Sequence, residues 1–287
     1  MKSLNPDIQL PKPRRLFSLG KRLFSPSSVT SRELNAHGKL HAVGKPALRF
    51  DDGAEEHWVH GRLQSTEDSP ALYVAESNSC KVKVASWNGC SFHEILDLRP
   101  NTHVWCEDGF IHREGAAAVI NYGEGDQACD EWWQHGLRHR DGGPAVMSFD
   151  VNMWFQRGLM HREDGPALDV VDIPYRMPSP YWNSGWFWQG RQMFRWGRFS
   201  PLFDYDTVPA DFILRVLSYA YLHSGHAEIT EEALEKASTL FPGLAFLLEN
   251  ADSLGTSGED ISKHIGNVLS GVQTSEAFAL DGLLDLD

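Results

Sequence analysis

From residue 33 the apolar and polar positions recur in a fixed order instead of at a helical period. Short alternating stretches follow each Pro-Ala, as in Ala47-Leu48-Arg49-Phe50, Ala71-Leu72-Tyr73-Val74 and Ala145-Val146-Met147-Ser148-Phe149. Alternation at period two sends one set of side chains to a buried face and the other to solvent, which predicts short strands. Polar turns such as Asp51-Asp52-Gly53 follow, and the next strand carries a Trp.

Five copies of this order are visible. The first has Leu34, Gly38, Leu40, His41, Pro46 and Ala47, and the second Trp58, Gly61, Leu63, Pro70 and Ala71. The third has Trp105, Gly109, Ile111, His112 and Arg113, with Ala117-Ala118 in the place of Pro-Ala. Trp132, Gly136, His139, Arg140, Asp141, Pro144 and Ala145 make the fourth; Trp154, Gly158, Met160, His161, Arg162, Asp164, Gly165, Pro166 and Ala167 make the fifth. Degenerate copies are expected around Gly89 and around 186–190. The spacing, about 20 to 32 residues, is that of repeat arrays. The Gly after each first position, and Asp-Gly before Pro, supply tight turns, so each copy reads as a hairpin-like unit. A lone hairpin is marginal in water, so neighbours must stack to bury the Trp, Leu and Ala positions.

The pattern changes at residue 204. Phe212, Ile213, Val216, Leu217 and Ala220 fall on one helical face after Pro209, with Asp206 or Thr207 placed to cap. Three more short helices are expected, opening at Thr230, Pro242 and Ser257. The fold class expected is therefore α+β: an elongated antiparallel β-sheet of hairpin repeats followed by a small helical region. The expected divisions are a disordered basic tail at 1–32, the repeat domain at 33–203, a helical domain or cap at 204–272 and an acidic-hydrophobic tail at 273–287.

Charge sharpens the two ends. Residues 1–32 carry seven Lys/Arg against Asp7 alone, +6, whereas 204–287 carry Arg215, Lys236 and Lys263 against fifteen acids, −12; the whole chain is −13. An acidic body repels nucleic acid, leaving only the basic arm to bind phosphate. No stretch of apolar residues is long enough for a membrane span or secretory leader. The four cysteines have no CxxC pairing and are read as reduced thiols, so the expected location is the cytoplasm.

The motif resembles the MORN family of repeats, in the His-Arg-x-Asp-Gly-Pro-Ala variant associated with large-bacteriophage and bacterial proteins. The match covers roughly residues 33–200. The resemblance implies a curved sheet for partner binding, in some members membrane association, and a phage-encoded host-takeover or anti-defence role in the host cytoplasm. The second copy, with Gln64-Ser65 for His-Arg, and the third, without Pro, depart from the motif and are expected to be distorted.

Candidate chemistry follows the repeat. His41, His112, His139 and His161 form a ladder that could ligate zinc beside Asp141 or Asp164. A residue type present in every copy is better explained by satisfying turns or packing between units, and Arg113, Arg140 and Arg162 by pairing with neighbouring acids. No GxxxxGK[ST], GxSxG or HExxH occurs. We therefore expect a non-enzymatic protein-interaction scaffold without cofactor or metal, the alternatives being a peripheral membrane scaffold and a metal-dependent enzyme. Candidate partner-binding residues are Arg15, Leu16, Phe17, Arg22, Leu23 and Phe24 in the arm, Trp182, Trp186 and Trp188 in the aromatic stretch, and Phe278, Leu283 and Leu284 in the acidic tail. The Trp stretch has a second reading as the seam between sheet and helices.

Overall fold

The computed structural model of the chain describes residues 10–16, 28–75, 80–83, 95–122, 129–170, 184–195, 198–199 and 208–224. Phe17, Arg22, Leu23, Phe24, the degenerate copy at Gly89, Trp182, the three later helices and the acidic tail lie outside them. The chain forms two compact units, residues 1–161 and 162–287, which meet inside the fifth copy.

In the first unit β1 (Val29–Arg32), β2 (Leu48–Phe50) and β3 (Glu55–Glu56) open an antiparallel sheet. A two-stranded hairpin, β4 (Trp58–Val59) with β5 (Arg62–Leu63), branches off before the chain returns as β6 (Leu72–Val74). An inserted hairpin, β7 (Cys80–Lys83) with β8 (Ile95–Leu98), precedes β9 (Thr102–Val104). The unit then repeats as hairpin β10 (Cys106–Glu107) and β11 (Phe110–Ile111), with sheet strands β12 (Val119–Asn121) and β13 (Cys129–Glu131). Hairpin β14 (Trp133–Gln134) and β15 (Leu137–Arg138), strands β16 (Val146–Ser148) and β17 (Val151–Met153), and hairpin β18 (Phe155–Gln156) and β19 (Leu159–Met160) complete it. The sheet order is β1-β2-β3-β6-β9-β12-β13-β16-β17. Because β6 pairs directly with β9, the insertion leaves the sheet unbroken.

The expected strands after Pro-Ala form as β2, β6 and β16, with alternate residues buried. Ala47, Ala71, Ala118, Ala145 and Ala167, the last residue of the motif in each copy, are all fully buried. Any larger side chain there would displace its neighbours in a close-packed core. Leu72, Val74, Val104 and Val119 from the sheet share one core with Trp58, Leu63, Ile111 and Trp133 from the hairpins and with Leu96 and Leu98 from the insertion. Within and beside it Trp58 Nε1 donates to Glu56 at 2.7 Å, Trp133 Nε1 to Glu131 at 2.9 Å, and Asn121 to Thr102 Oγ1 at 2.9 Å, whereas the buried Trp105 Nε1 has no hydrogen-bond acceptor among the described residues.

Val29–Arg32 pairs with β2, so the segment expected as a tail to residue 32 is ordered from Val29 as an edge strand. Residues 10–16 also have a fixed place, described below.

In the second unit β20 (Leu168–Val170), β21 (Gly185–Trp188), β22 (Arg191–Arg195) and β23 (Arg198–Phe199) pair antiparallel in that order. Helix α1 (Ala210–Ser224) starts after Pro209 with Asp211 in its first turn, where a negative charge favours the helix dipole. The predicted stripe of Phe212, Ile213, Val216, Leu217 and Ala220 is buried, and Leu214 joins it. Phe212 packs on Trp186 and Trp188, and Tyr219 on Trp186 and Phe194. The described residues are thus mostly β, an antiparallel sheet with small hairpins and one short C-terminal helix, as the sequence pattern predicts.

Candidate interaction surfaces

The hairpins β4–β5, β10–β11, β14–β15 and β18–β19 each close with a two-residue turn whose residues both have positive φ, His60-Gly61, Asp108-Gly109, His135-Gly136 and Arg157-Gly158, with Gln189-Gly190 repeating this in the second unit. This is the turn whose twist matches antiparallel strands, and Gly at its second place removes the Cβ penalty. Such a turn leaves two backbone N–H groups without partners in its own hairpin. In the four turns of the first unit the preceding copy takes both. The glycine N–H groups of 61, 109, 136 and 158 donate to the carbonyls of Leu40, Leu63, Ile111 and Arg138 at 2.8–2.9 Å. The other N–H meets a side chain: His60 N donates to His41 Nδ1 at 3.2 Å, His135 N to His112 Nδ1 at 3.2 Å and Arg157 N to His139 Nδ1 at 3.3 Å.

The second copy preserves this joint, contrary to the distortion expected of it. Gln64 Oε1 accepts the Asp108 N–H at 3.0 Å, and Ser65 Oγ accepts the Cys106 N–H at 2.8 Å. The third copy also keeps its geometry without Pro, since Ala118 N still donates to Glu131 O at 2.8 Å. The turn glycines also correct the alignment of the second copy. Counting four residues back from Gly61 gives His57, so Trp58 corresponds to Trp133 and not to Trp132.

Two of the repeat arginines stack on aromatic rings. Arg113 stacks 3.9 Å from the Trp105 ring and Arg140 3.7 Å from Trp132. Their Nη1 atoms donate to the carbonyls of Ala117 and Pro144 at 3.1 Å, closing the loop before the buried Ala. In the second unit Arg162 makes the expected acid pair, with Asp164 at 2.8 Å, and also donates to Pro166 O; its guanidinium holds the Asp164 carboxyl below the ordinary range. Gly165 lies against that guanidinium, where a methyl would stand 2.7 Å from Arg162 Cζ. His161 is buried.

His112 and His139 face acids through Nε2, Glu107 at 3.4 Å and Asp141 at 3.5 Å. Burial still holds both imidazoles below their ordinary value, assisted by His135 at His112 and Arg157 at His139, with Glu107, Glu114 and Asp141 opposing. An Nδ1 that accepts a hydrogen bond places the remaining proton of a neutral ring on Nε2. This bears on metal binding. Among the described residues Glu107, His112 and His135 each bring one donor atom within 4.8 Å of the others. For His112 to ligate through Nε2 it must shift its proton to Nδ1 and lose the His135 bond, so the joint and a metal compete for one ring. Burial raises the thiol pKa of Cys106, and burial with Glu131 pushes Cys129 up to about 12, so both stay protonated at neutral pH.

Residues 10–16 lie along the turns. Leu16 N donates to Gly109 O at 2.8 Å and its side chain is buried in the core. Arg15 reaches Asp108 twice, Nε to the backbone carbonyl at 3.1 Å and Nη2 to the carboxylate at 2.9 Å, and lies 4.9 Å from the Phe110 ring centre. Arg62 binds the other oxygen of Asp108, and the two arginines hold that carboxyl below its ordinary range. Arg15 and Leu16 therefore make contacts within the chain. Trp186 and Trp188 are buried beneath α1, packed on Phe212.

A surface that sequence reasoning missed is the outward face of the first sheet, where Ile120 and Tyr73 are partly buried against the core clusters. Strand register places Arg49, Glu55, Tyr73, His103, Ile120, Asp130, Met147 and Asn152 in one row across eight strands. Arg49 and Glu55 pair at 2.9 Å. His103 meets Tyr73 and Tyr122 edge-on at 5.0 Å each, and burial lowers its pKa. Tyr122 is 60% exposed, Phe149 51% and Met147 41%, so apolar groups on or beside the row remain open to solvent. The signal was the alternation itself, which marks every second residue of β6, β9, β12 and β16 as outward-facing.

No protein-family model matches the chain, and neither the curated proteins nor the solved structures yield a match. No described helix is long and apolar enough to cross a membrane.

Proposed function

We propose that this protein is a non-enzymatic interaction scaffold of MORN-like repeats, and that the outer face of its first sheet is the surface it offers to a protein partner. The observation that carries the reading is the continuous row from Arg49 to Asn152, with the aromatic group Tyr73, His103 and Tyr122 at its centre and Met147 beyond. Aromatic side chains supply large contact area at low entropic cost, and rows on a rigid sheet need no ordering before they bind. The repeat histidines and arginines are spent on joints and loops, which supports a scaffold over a metal enzyme. A membrane reading would use the Arg14-Arg15-Leu16-Phe17 arm and the Trp stretch; of their described residues Leu16, Trp186 and Trp188 are buried, while Arg14 and Arg15 are exposed.

The test is affinity capture from the native cell with the wild-type chain and with a Tyr122→Glu, Met147→Glu, Phe149→Glu triple variant. All three positions are solvent-exposed, so the variant should fold, as circular dichroism can check. Partner recovery is expected to fall at least tenfold. A partner retained at wild-type level by the folded variant places the docking surface elsewhere.

A further inference from the structure

The way residues 10–16 lie on the hairpins has the form of peptide recognition. Contacts recur at every second residue of the segment: Arg15 lies over Gly109, Pro13 over Gly136 and Pro11 over Gly158. A chain that advances one repeat for every two of its own residues is extended, as Pro at alternate positions favours. The floor is shaped by what glycine lacks. A methyl on Gly136 would stand 3.0 Å from Pro13 Cβ and 3.1 Å from Phe110 Cδ1, and one on Gly158 would stand 3.0 Å from Pro11 Cγ. Phe110 offers an aromatic face to Arg15, Asp108 its carboxylate, and Leu16 fills an apolar hole at the end. Aromatic rings, a carboxylate and small residues arranged along a groove are how Pro-rich basic peptides are read.

We propose that the ridge of turns formed by Asp108, Gly109, Phe110, Gly136 and Gly158 is a recognition groove for an extended peptide of the pattern Pro-x-Pro-x-Arg-Leu, and that residues 10–16 are its resident, exchangeable occupant. Leu16 is buried, but the Arg15 pair with Asp108 is half exposed, where water and salt compete with it. Because the segment belongs to the same chain, covalent attachment adds to these contacts an effective concentration on the order of millimolar. A free peptide of the same chemistry therefore competes with a covalently supplied one. This surface is separate from the outer sheet face, and the proposal stands or falls without it.

The probe is a fluorescent peptide with the sequence of residues 8–18, titrated by anisotropy into full-length chains. The wild-type chain, with its groove filled, is expected to bind it at least tenfold more weakly than an Arg15→Glu, Leu16→Asp chain whose own segment is released. Adding Asp108→Arg to the released chain should abolish binding, and a peptide carrying Glu at its Arg15 position should not bind either. Equal affinity for the released chain and its Asp108→Arg version overturns the proposal. Hydrogen exchange on the unaltered protein guards against a released chain that does not fold. The Leu16 amide should exchange at least tenfold faster than the Gly136 amide, and equal protection of the two overturns an exchangeable occupant. A wild-type dimer that Arg15→Glu dissolves supports the groove, with the neighbouring copy as donor.

Discussion

The joint between the second and third hairpins and the joint between the third and fourth do the same work with different side chains. Gln64 accepts the first turn N–H at 3.0 Å in one, and His112 accepts it at 3.2 Å in the other. The fold requires an acceptor at that point, and an amide serves as well as an imidazole. What His adds is a ring stacked on His135 at 4.3 Å and a proton equilibrium. The recurrence of His in the sequence is thus a statement about geometry, and its replacement by Gln is not a failure of the repeat.

The largest difference between the joints should appear at their glycines. Gly109 has φ +83° and Gly136 φ +80°, so Ala is strained at either. At Gly109 a methyl would find Arg15 at an ordinary 3.4 Å, whereas at Gly136 it meets the Pro13 ring and Phe110 at 3.0 and 3.1 Å. Gly109→Ala should cost about 1–2 kcal/mol and Gly136→Ala about 3 kcal/mol, the excess being overpacking. Equal denaturation midpoints for the two variants would remove the second joint's tighter contact from the account.

Next in size is the acceptor. Gln64→Leu leaves the Asp108 N–H without its partner and His112→Leu does the same to His135, each costing about 1 kcal/mol because water reaches both turns. His112→Gln should recover most of that loss. If it is as unstable as His112→Leu, the ring and not the hydrogen bond makes the joint.

How much of this was legible in the sequence depended on range. Strands after Pro-Ala, tight turns at Gly and the α1 stripe follow from residues close in the chain, and all three formed. The second copy was misaligned by one residue because Trp58 drew attention from His57; the turn glycine at 61 was the better ruler, since positive φ admits few residues whereas a buried aromatic can occupy either side of a strand. The outer row was invisible because it joins residues from Arg49 to Asn152 through seven pairings, and a period-two pattern says which face a residue takes but not which neighbour. Placement of Pro11, Pro13, Arg15 and Leu16 was missed because a segment without internal periodicity carries no sign that it packs on something distant.

Acid should separate the joints by a smaller amount. The folded chain holds His112 and His139 below the ordinary value of 6.5, chiefly through burial. As pH falls through 6.5 the unfolded chain takes up protons that these rings refuse, so stability present above that pH is lost below it. A His112→Gln, His139→Gln chain should lose less melting temperature than wild type between pH 7.5 and 5.5, and Gln64→His should lose more. Parallel curves would mean that the joints do not titrate in this range.

The smallest expected effect concerns the stacked arginines, which the second copy lacks because it has His57 and Ser65 in those places. Arg140 lies 3.7 Å from the Trp132 ring centre while its Nη1 donates to Pro144 O. Lysine keeps the charge but not the plane, so Arg140→Lys should cost about 0.5–1 kcal/mol. A double-mutant cycle with Trp132→Leu separates the stack from the loop bond, because the carbonyl contact survives removal of the ring while the stack does not. Coupling of about 0.5 kcal/mol or more assigns the cost to the Arg-Trp plane. Coupling near zero assigns it to the Pro144 carbonyl, and the Trp-Arg recurrence would then reflect two separate demands of the loop, one for burial of an aromatic ring and one for a donor.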